Sequence, residues 1–568
     1  MATPEDYKRQ FGDGRRRAMG FSSGGGNAAY DAGRWGSREM ASWNPPRSWV
    51  NTDVGGNRDK VQDRARDMAR NHPVIAGAID RRAESVVGPE IRLEAMPEFE
   101  AIGRTPEWAD EWSTATEVQF RLWGQNYRFL CDVQMQSTFG GIIEAAYRHW
   151  WTDGDAVAAV KMLPRGGSYE TCIELIDPDR LSNPFGISDN MVLSNGNRII
   201  GGVEIHPQGY PVAYHIRCAH PAEFGRADGE TMRWERIARF GPTGRPILVH
   251  AFKRSRADQR RGISRFVAAI KRMKMFDRYD DAEIEAALLN SVMAAWVESP
   301  FPTGDVQAAL APGSPSSGDE WSFDKQLAYR FDNAVKIDGV RTIHGLPGEK
   351  LTLNRAEHPS QNYPEFQATG LRSLAANFGL SYAQVAQNWA DINYSSARAM
   401  LNEIWRGLLH DRHEFVTKFC TPIYAAWLEE AALKGKVKIP GGWPNFYRWR
   451  DELTMCKWKA PGRGTVDPLK EAQANDFELN AGTTNLSMIA DGNGVDHREV
   501  LMGQARDKRL REKLGIGEYM PMKASPAVAG SGGGDSGSAG GTEADRDGDG
   551  KPNEDKAKKK TVDAEETV

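Results

Sequence analysis

Residues 378–398 run Phe378-Gly379-Leu380-Ser381-Tyr382-Ala383-Gln384-Val385-Ala386-Gln387-Asn388-Trp389-Ala390-Asp391-Ile392-Asn393-Tyr394-Ser395-Ser396-Ala397-Arg398, a polar passage set between two helix-patterned segments. Before it, Tyr363 to Phe378 keeps a helical rhythm, and after it a long amphipathic pattern runs from Ser396 to about Thr421, where Pro422 is expected to interrupt. Between Gly379 and Ala397 the only acid is Asp391, while Gln384, Gln387, Asn388, Asn393, Ser395 and Ser396 are polar and uncharged. By itself the passage is a helix-to-helix connector whose Asn and Ser side chains cap helices.

Upstream, Ile263 to Ser299 contains neither Gly nor Pro, and Ile263, Phe266, Val267, Ile270, Met273 and Phe276 repeat at helical spacing. A continuous helix there would extend about 55 Å at 1.5 Å per residue. The strongest basic stretch of the chain leads into it, from Lys253, Arg254 and Arg256 through Arg260 and Arg261 to Arg265, Lys271, Arg272, Lys274 and Arg278. These bases are either a nucleic-acid contact or a solvated face balanced by Asp277, Asp280, Asp281, Glu283 and Glu285. Opposite charges segregated along one helix also suit lateral pairing between identical neighbours. Residues 300–360, opened by Pro300, Pro302, Pro312, Gly313 and Pro315, read as a small loop-and-strand insertion between helices.

The chain before residue 255 is of mixed type. Residues 1–60 are rich in Gly, Arg, Ser and Asp, with Trp35, Trp43 and Trp49 placed to pin a flexible arm onto something else. Val61 to Val87 is a two-part helix broken at Pro73 and stopped by Gly88-Pro89. Helices follow at Glu107 to Trp123 and Ser137 to Trp151, then strands at Ala156 to Leu163, Cys172 to Leu175, Gly202 to His206 and Val212 to Arg217, which makes an α+β region. After Trp458-Lys459-Ala460-Pro461 the chain mixes turns and short helices to about Pro521. Residues 523–568 contain no aromatic residue, Leu or Ile and are expected to be disordered.

At 568 residues the chain is large enough for three or four structural units, and no apolar run is long enough to span a bilayer. No secretory signal follows the basic cluster Arg15 to Arg17. Five scattered cysteines without a CxxC pair read as buried thiols in a reducing compartment. Of the net charge of −4, three units fall in residues 523–568, so the body is nearly neutral. A neutral body argues against tight capture of phosphates, though not against a surface past which DNA slides.

The motifs of chemistry are missing. GxxxxGK[ST], GxSxG and HExxH do not occur, so a nucleotide-driven motor, a nucleophile-elbow hydrolase and a zincin each lack their minimal parts. Ser322-Phe323-Asp324-Lys325 fits SxxK only by chance. His410 and His413 stand three apart on a helix without a third ligand, and read as a solvated helical face. Asp545 to Gly550 begins like a calcium loop, but Lys556 occupies the twelfth position, where a glutamate is needed. No cofactor, metal or catalytic residue is expected.

Several blocks, in order, resemble the lambda-type phage portal family. They are Arg66-Asp67-Met68-Ala69-Arg70-Asn71, Val86-Val87-Gly88, Asp153-Gly154-Asp155, Glu174 to Leu181, Gly209 to Ile216, Gln259-Arg260-Arg261-Gly262-Ile263-Ser264, Leu346-Pro347-Gly348-Glu349, Asn393 to Arg398, Trp458 to Pro461 and Val466-Asp467-Pro468. The resemblance covers about residues 60–515. It implies a portal-type α+β fold and a ring of identical subunits, usually twelve, at one vertex of an icosahedral head. By analogy, 61–255 is the wing, 256–299 the first stem helix, 300–360 the clip, 361–378 the second stem helix, 379–396 the tunnel loop and 397–522 a helical wing and crown region. The residues it sets along the DNA channel are Gln384, Gln387, Asn388, Asn393, Tyr394, Ser395, Ser396 and Arg398, with Arg265, Lys271, Arg272, Lys274 and Arg278 as a basic stem face. Repeated round an axis, the uncharged loop residues would offer weak, exchangeable hydrogen bonds and no strong phosphate anchor. The implied partners are double-stranded DNA, the large terminase, the head-tail connector or head completion protein, and the major capsid and scaffold proteins, with assembly in the host cytoplasm and no membrane. The competing functions are another virion component of tail or baseplate, and a packaging nuclease or motor.

Overall fold

The computed structural model describes residues 42–223, 229–292, 295–297, 342–344, 363–390, 394–464 and 467–517. Residues 1–41, nearly all of the insertion 300–360, and the tail from 518 lie outside the described residues. The chain divides into two compact units, residues 1–499 and 500–568.

Helix begins earlier than the expected boundary of the arm. α1 (Val50–Gly55) buries Val50, Asn51 and Val54, and α2 (Arg58–Asn71) buries Arg58, Gln62, Ala65 and Met68. α3 (Pro73–Val86) starts with Pro73 in its first turn, where the missing N–H costs nothing, and His72 caps it by accepting the Ile75 N–H. Gly88, at φ +64°, ends the run. β1 (Arg92–Ala95), α4 (Phe99–Ile102), α5 (Pro106–Gly124) and α6 (Phe139–Thr152) follow, with Thr105 and Thr138 as N-caps of the two longer helices.

The strands are β2 (Asp155–Met162), β3 (Thr171–Ile176), β4 (Arg198–Ile200), β5 (Val203–Ile205), β6 (Pro211–Arg217), β7 (Trp234–Ala238) and β8 (Leu248–Phe252). They form one antiparallel sheet ordered β3-β2-β8 and a second ordered β4-β5-β6-β7. β2 is buried on both faces from Asp155 to Val160. Its Val157 and Ala159 join a core with Ile176, Leu181, Ile200, Ile205, Tyr214 and Leu248, while Ala156, Ala158 and Val160 belong to the main core. The period of two thus ties two cores through one strand.

α7 (Val267–Val292) is 26 residues long, about 39 Å, and β9 (Ala295–Val297) follows it. The sequence expectation of one helix through Ser299 is corrected here: absence of Gly and Pro does not extend a helix across Trp296 and Val297, which take strand geometry opposite β10 (Thr342–His344) in parallel pairing. α8 (Tyr363–Phe378) runs antiparallel to α7, with Phe276 stacked on Phe366, Tyr279 beside Tyr363, and the Tyr363 hydroxyl donating to Asp280 at 2.9 Å. Gly370 permits this approach, since a Cβ there would sit 2.6 Å from the Phe276 ring.

After α9 (Tyr382–Ala386) comes α10 (Tyr394–Leu433), 40 residues with Pro422 inside. The expected interruption at Pro422 does not occur. An interior proline costs about 3 kcal/mol, but Phe419, Cys420, Ile423, Tyr424 and Trp427 around it are fully buried. Each large apolar side chain so buried returns roughly 1.5–3 kcal/mol, so packing outweighs the lost hydrogen bond. α11 (Arg450–Leu453), β11 (Cys456–Lys459) paired antiparallel with β1, then α12 (Pro468–Asn480), α13 (Leu486–Gly492) and α14 (His497–Leu514) complete the described chain. No described helix is long and apolar enough to cross a membrane.

One crossing sets the junction between sheet and α7. Gly154, at φ +88°, and Gly262 meet backbone to backbone: a Cβ on Gly262 would lie 2.0 Å from the Gly154 carbonyl oxygen. Gly262→Ala is expected to cost about 3 kcal/mol, read as a lower urea midpoint. At Gly407, in the middle of α10, an added Cβ would meet nothing within 4 Å. There the same change is expected to add up to about 1 kcal/mol.

Candidate functional site

The polar passage is short and anchored at its root. Phe378 ends α8 fully buried, stacked on Trp151 at 5.3 Å and Phe266 at 5.5 Å. Gly379 turns left-handed at φ +59°, and the Leu380 N–H returns to the Ala375 carbonyl at 3.0 Å. Ser381 then caps α9 in a capping box: its Oγ accepts the Gln384 N–H at 3.1 Å, and its own N–H donates to Gln384 Oε1 at 3.0 Å.

This arrangement divides the channel residues expected from sequence. Gln384 is half-buried; its side chain is consumed by the cap, and its carbonyl accepts from Arg81 Nε at 3.0 Å and from Gln387 Nε2 at 2.9 Å. That is the capping role a plain connector would give it. Gln387 and Asn388 are exposed, Gln387 at the left-handed φ of +54° and Asn388 accepting the Ala390 N–H at 3.1 Å. Asn393 lies outside the described residues, Tyr394 and Ser395 open α10, and Ser396 and Arg398 are exposed in its first turns. Trp389, 51% exposed beside Asn388, belongs with these residues and was missed by sequence reasoning focused on polar side chains.

The basic face also divides. Lys271, Arg272, Lys274 and Arg278 are exposed on α7, with Arg272 reaching Ser373 Oγ at 3.1 Å and Lys274 near Asp277 at 3.8 Å. Arg265 turns inward instead. Its guanidinium lies over Trp150 and Trp151 at 4.8 and 4.6 Å and donates to Asp411 Oδ1 at 3.0 Å. Three partners stabilise its position where an open face was expected: one carboxylate and two ring faces outcompete water for a planar cation.

Asp411 is the centre of this knot. Arg82 of α3 donates to it and also to the Phe378 carbonyl, and lies 4.4 Å over Trp151; Lys253 Nζ is 3.4 Å away. Burial alone would raise the Asp411 carboxyl, but the Arg265 and Arg82 guanidiniums hold it below the ordinary range. The knot therefore joins the foot of α7, the end of α8, α3 and α10. Neighbouring Arg412 faces inward too, bonding the Val86 carbonyl at 2.9 Å, while His410 and His413 are exposed. A signal was present: Leu408, Asp411, Phe415 and Phe419 are spaced by three and four, which puts Asp411 on the buried stripe.

A second knot lies at the glycine crossing. Asp155, 0% exposed, binds Arg261 Nε at 2.7 Å, Arg58 Nη2 at 3.2 Å, His250 Nε2 at 3.0 Å and the Gly262 N–H at 2.6 Å. Burial would raise its carboxyl; Arg261, His250 and Arg58 hold it well below the usual range. Arg66, one helical turn on from the buried Gln62, gathers Asp153 at 2.7 Å, Asp177 at 2.9 Å and Asp179 at 2.5 Å. Asp177, Asp179 and His220 are grouped closely enough for a metal ion, but the Arg66 guanidinium already supplies the positive charge there.

Comparison with known proteins adds a further set of findings. The family described as "Phage portal protein, lambda family" matches residues 36–412. The chain is 27% identical over 496 residues to Portal protein B of Escherichia phage lambda, covering 86% of this chain and 91% of that one. It is 26% identical over 510 residues to the portal protein of Escherichia phage N15, covering 88% and 92%. A probable portal protein of Halomonas phage phiHAP-1 is 26% identical over 489 residues, covering 83% and 85%. Among solved structures, the neck of an empty GTA particle, computed with C6 symmetry, is similar at a TM-score of 0.33 and 15% identity, covering 80% of this chain and 97% of that one. The virion of a native gene transfer agent particle gives 0.34 and 14%, with the same coverage.

Proposed function

Since the chain belongs to the lambda family of phage portal proteins, we propose that its copies close into a ring, of twelve subunits by the resemblance, at a single capsid vertex. Double-stranded DNA passes along the axis of that ring during packaging and ejection. The observation that carries this reading is the family match over residues 36–412, which takes in α7, α8, the polar passage after them and the first part of α10.

In this reading α7 and α8 are the stem helices, residues 300–360 the clip, the α+β region before 255 the wing, and the chain after α10 part of wing and crown. Gln387, Asn388, Trp389 and Ser396 then face the axis together with Arg398. Repeated by symmetry, uncharged amides and an aromatic ring give DNA contacts that exchange readily as the helix advances, because the dominant, salt-dependent part of DNA affinity comes from phosphate neutralisation. Lys271, Arg272, Lys274 and Arg278 supply a diffuse positive field along the stem. The clip would meet the large terminase and later the head completion protein, with the capsid and scaffold proteins against the wing. No catalysis is assigned to this chain; the energy for DNA movement comes from the terminase.

Gold-labelling of this protein in intact particles tests the assignment. Label at one head vertex is the expected result. Label distributed along the tail would move the protein to the tail or baseplate.

A further inference from the structure

Residues 468–499 sit on the body in an unusual way. Ala490 is the one hydrophobic residue buried among them, while Phe477 is 76% exposed and Leu469, Leu486 and Met488 are exposed as well. Their neutral contacts include a backbone crossing at Gly462 and Gly494 and a hydrogen bond from the Arg463 N–H to the Gly492 carbonyl at 3.3 Å. Most of what else ties them down is charge. Lys459 of β11 meets Asp491 at 3.1 Å and Asp496 at 3.6 Å, as well as Glu94 of β1 at 3.2 Å. Arg498 meets Asp110 at 3.0 Å and Glu117 at 3.5 Å, both on α5. Glu499 accepts from Arg121 at 3.1 Å and from Arg92.

We infer that the ion pairs centred on Lys459 and Arg498 form a clasp that holds residues 468–499 on the body by charge and releases them as a unit when ionic strength rises. A segment seated by apolar burial keeps its seat in salt, because the hydrophobic effect is not screened. One seated by ion pairs is loosened, more at Arg498, Arg92 and Arg121, with side chains 38%, 41% and 51% exposed, than at Lys459, which is 10% exposed, since the screening length shortens from about 10 Å at 0.1 M to about 3 Å at 1 M salt. Six of the pairs that reach the segment act on one stretch, Asp491–Glu499, and Arg463 meets Glu471 of α12 at 3.5 Å, so weakening them together frees α12 and α13 together.

Proton uptake tunes the clasp. Glu117 of α5 accepts the Ala95 N–H at 3.0 Å and faces Glu94 on β1 and Arg498 and Asp496 on the segment, with Arg498 at 3.5 Å. Burial pushes its carboxyl up to about 7, against the opposing Ala95 N–H and Arg498. The clasped state thus binds a proton on Glu117 more tightly than the open one, so the contribution of this one carboxyl is fully present below its ordinary range and is lost as the pH rises through about 7.

Hydrogen exchange on the full-length assembled protein tests this, with β2 as internal control. Between about 0.05 and 1 M NaCl, protection of α12 and α13 amides is expected to fall at least about tenfold while β2 is unchanged, as several weak pairs lost together require. Lys459→Met is expected to lower that protection already at low salt. Glu117→Gln, which keeps the shape, is expected to flatten the dependence of protection on pH between 6 and 8. Protection of α12 and α13 that stays within twofold across the salt range, or that falls in step with β2, overturns the clasp.

Discussion

Asp155→Asn is expected to lower stability by about 3–5 kcal/mol, the usual consequence of removing one partner from a buried ion cluster. The substitution keeps the shape and removes the charge, leaving the Arg58 and Arg261 guanidiniums facing each other in a site with 0% exposure. The damage spreads because the Asp155 carboxylate also receives the Gly262 N–H at 2.6 Å, and so fixes the crossing that leads into α7. Thermal melting is expected about 3–5 °C below the parent chain, since an unfolding entropy of about 2.1 cal/mol/K per residue gives roughly 1 °C per kcal/mol for a unit that spans residues 1–499. A companion effect appears in pH. The Asp155 carboxyl is held well below its ordinary range in the folded chain, so its stabilisation is complete above about pH 4 and is lost as the pH falls further. His250, buried and lowered by burial, must gain a proton on unfolding, which subtracts stability from about pH 6.5 downward. Both effects have the same sign, so the parent chain is expected to weaken steadily on acidification and Asp155→Asn to show a shallower slope below pH 4. A melting temperature for Asp155→Asn within 2 °C of the parent would contradict the cluster's role.

Asp411→Asn is the second large effect, about 3 kcal/mol. It leaves Arg82, Arg265 and Lys253 without their shared anion, and two of these cations are pressed against Trp150 and Trp151. The distinctive readout is local. Arg82 holds the Phe378 carbonyl only while Asp411 holds Arg82, so hydrogen exchange from Leu380 to Ala386 is expected to rise more than in α5. A double-mutant cycle with Arg82→Met separates pairing from packing: coupling of at least about 1 kcal/mol is expected for groups that share one network. His410→Ala and His413→Ala, on the same helix but exposed, are expected to stay within about 0.5 kcal/mol of the parent.

Local signals in the chain were legible wherever the cause was local. Pro73 splits α2 from α3 and Gly88 ends α3, because a fixed φ and a left-handed turn act within one or two residues. β2, β3, β5 and β6 stand close to the four runs read as strands between turn clusters, whereas the three-residue β4 was not expected. Pro422 misled for the opposite reason: its local penalty is outweighed by tertiary burial, which the sequence of α10 shows only as an apolar stripe without naming its partners. The ionic knots were not legible at all as knots. Asp155 meets Arg261 across 106 residues and Asp411 meets Arg82 across 329, and no spacing rule reaches that far. Even so, Arg82 and Asp411 each stand at three- and four-residue intervals from buried apolar neighbours, which marks a charge that must be paired inside. Gln384 shows how two roles compete for one residue. The pattern Ser381-x-x-Gln384 is a capping box, and the amide it spends there is withdrawn from the exposed set of Gln387, Asn388 and Trp389.

Electron microscopy of the purified full-length protein tests the portal assignment most directly. Closed rings with a central hole, twelvefold on rotational averaging and with the passage between α8 and α10 lining the narrowest part, are the expected result. A protein that stays monomeric across assembly conditions, or rings whose constriction is built from another segment, would contradict it.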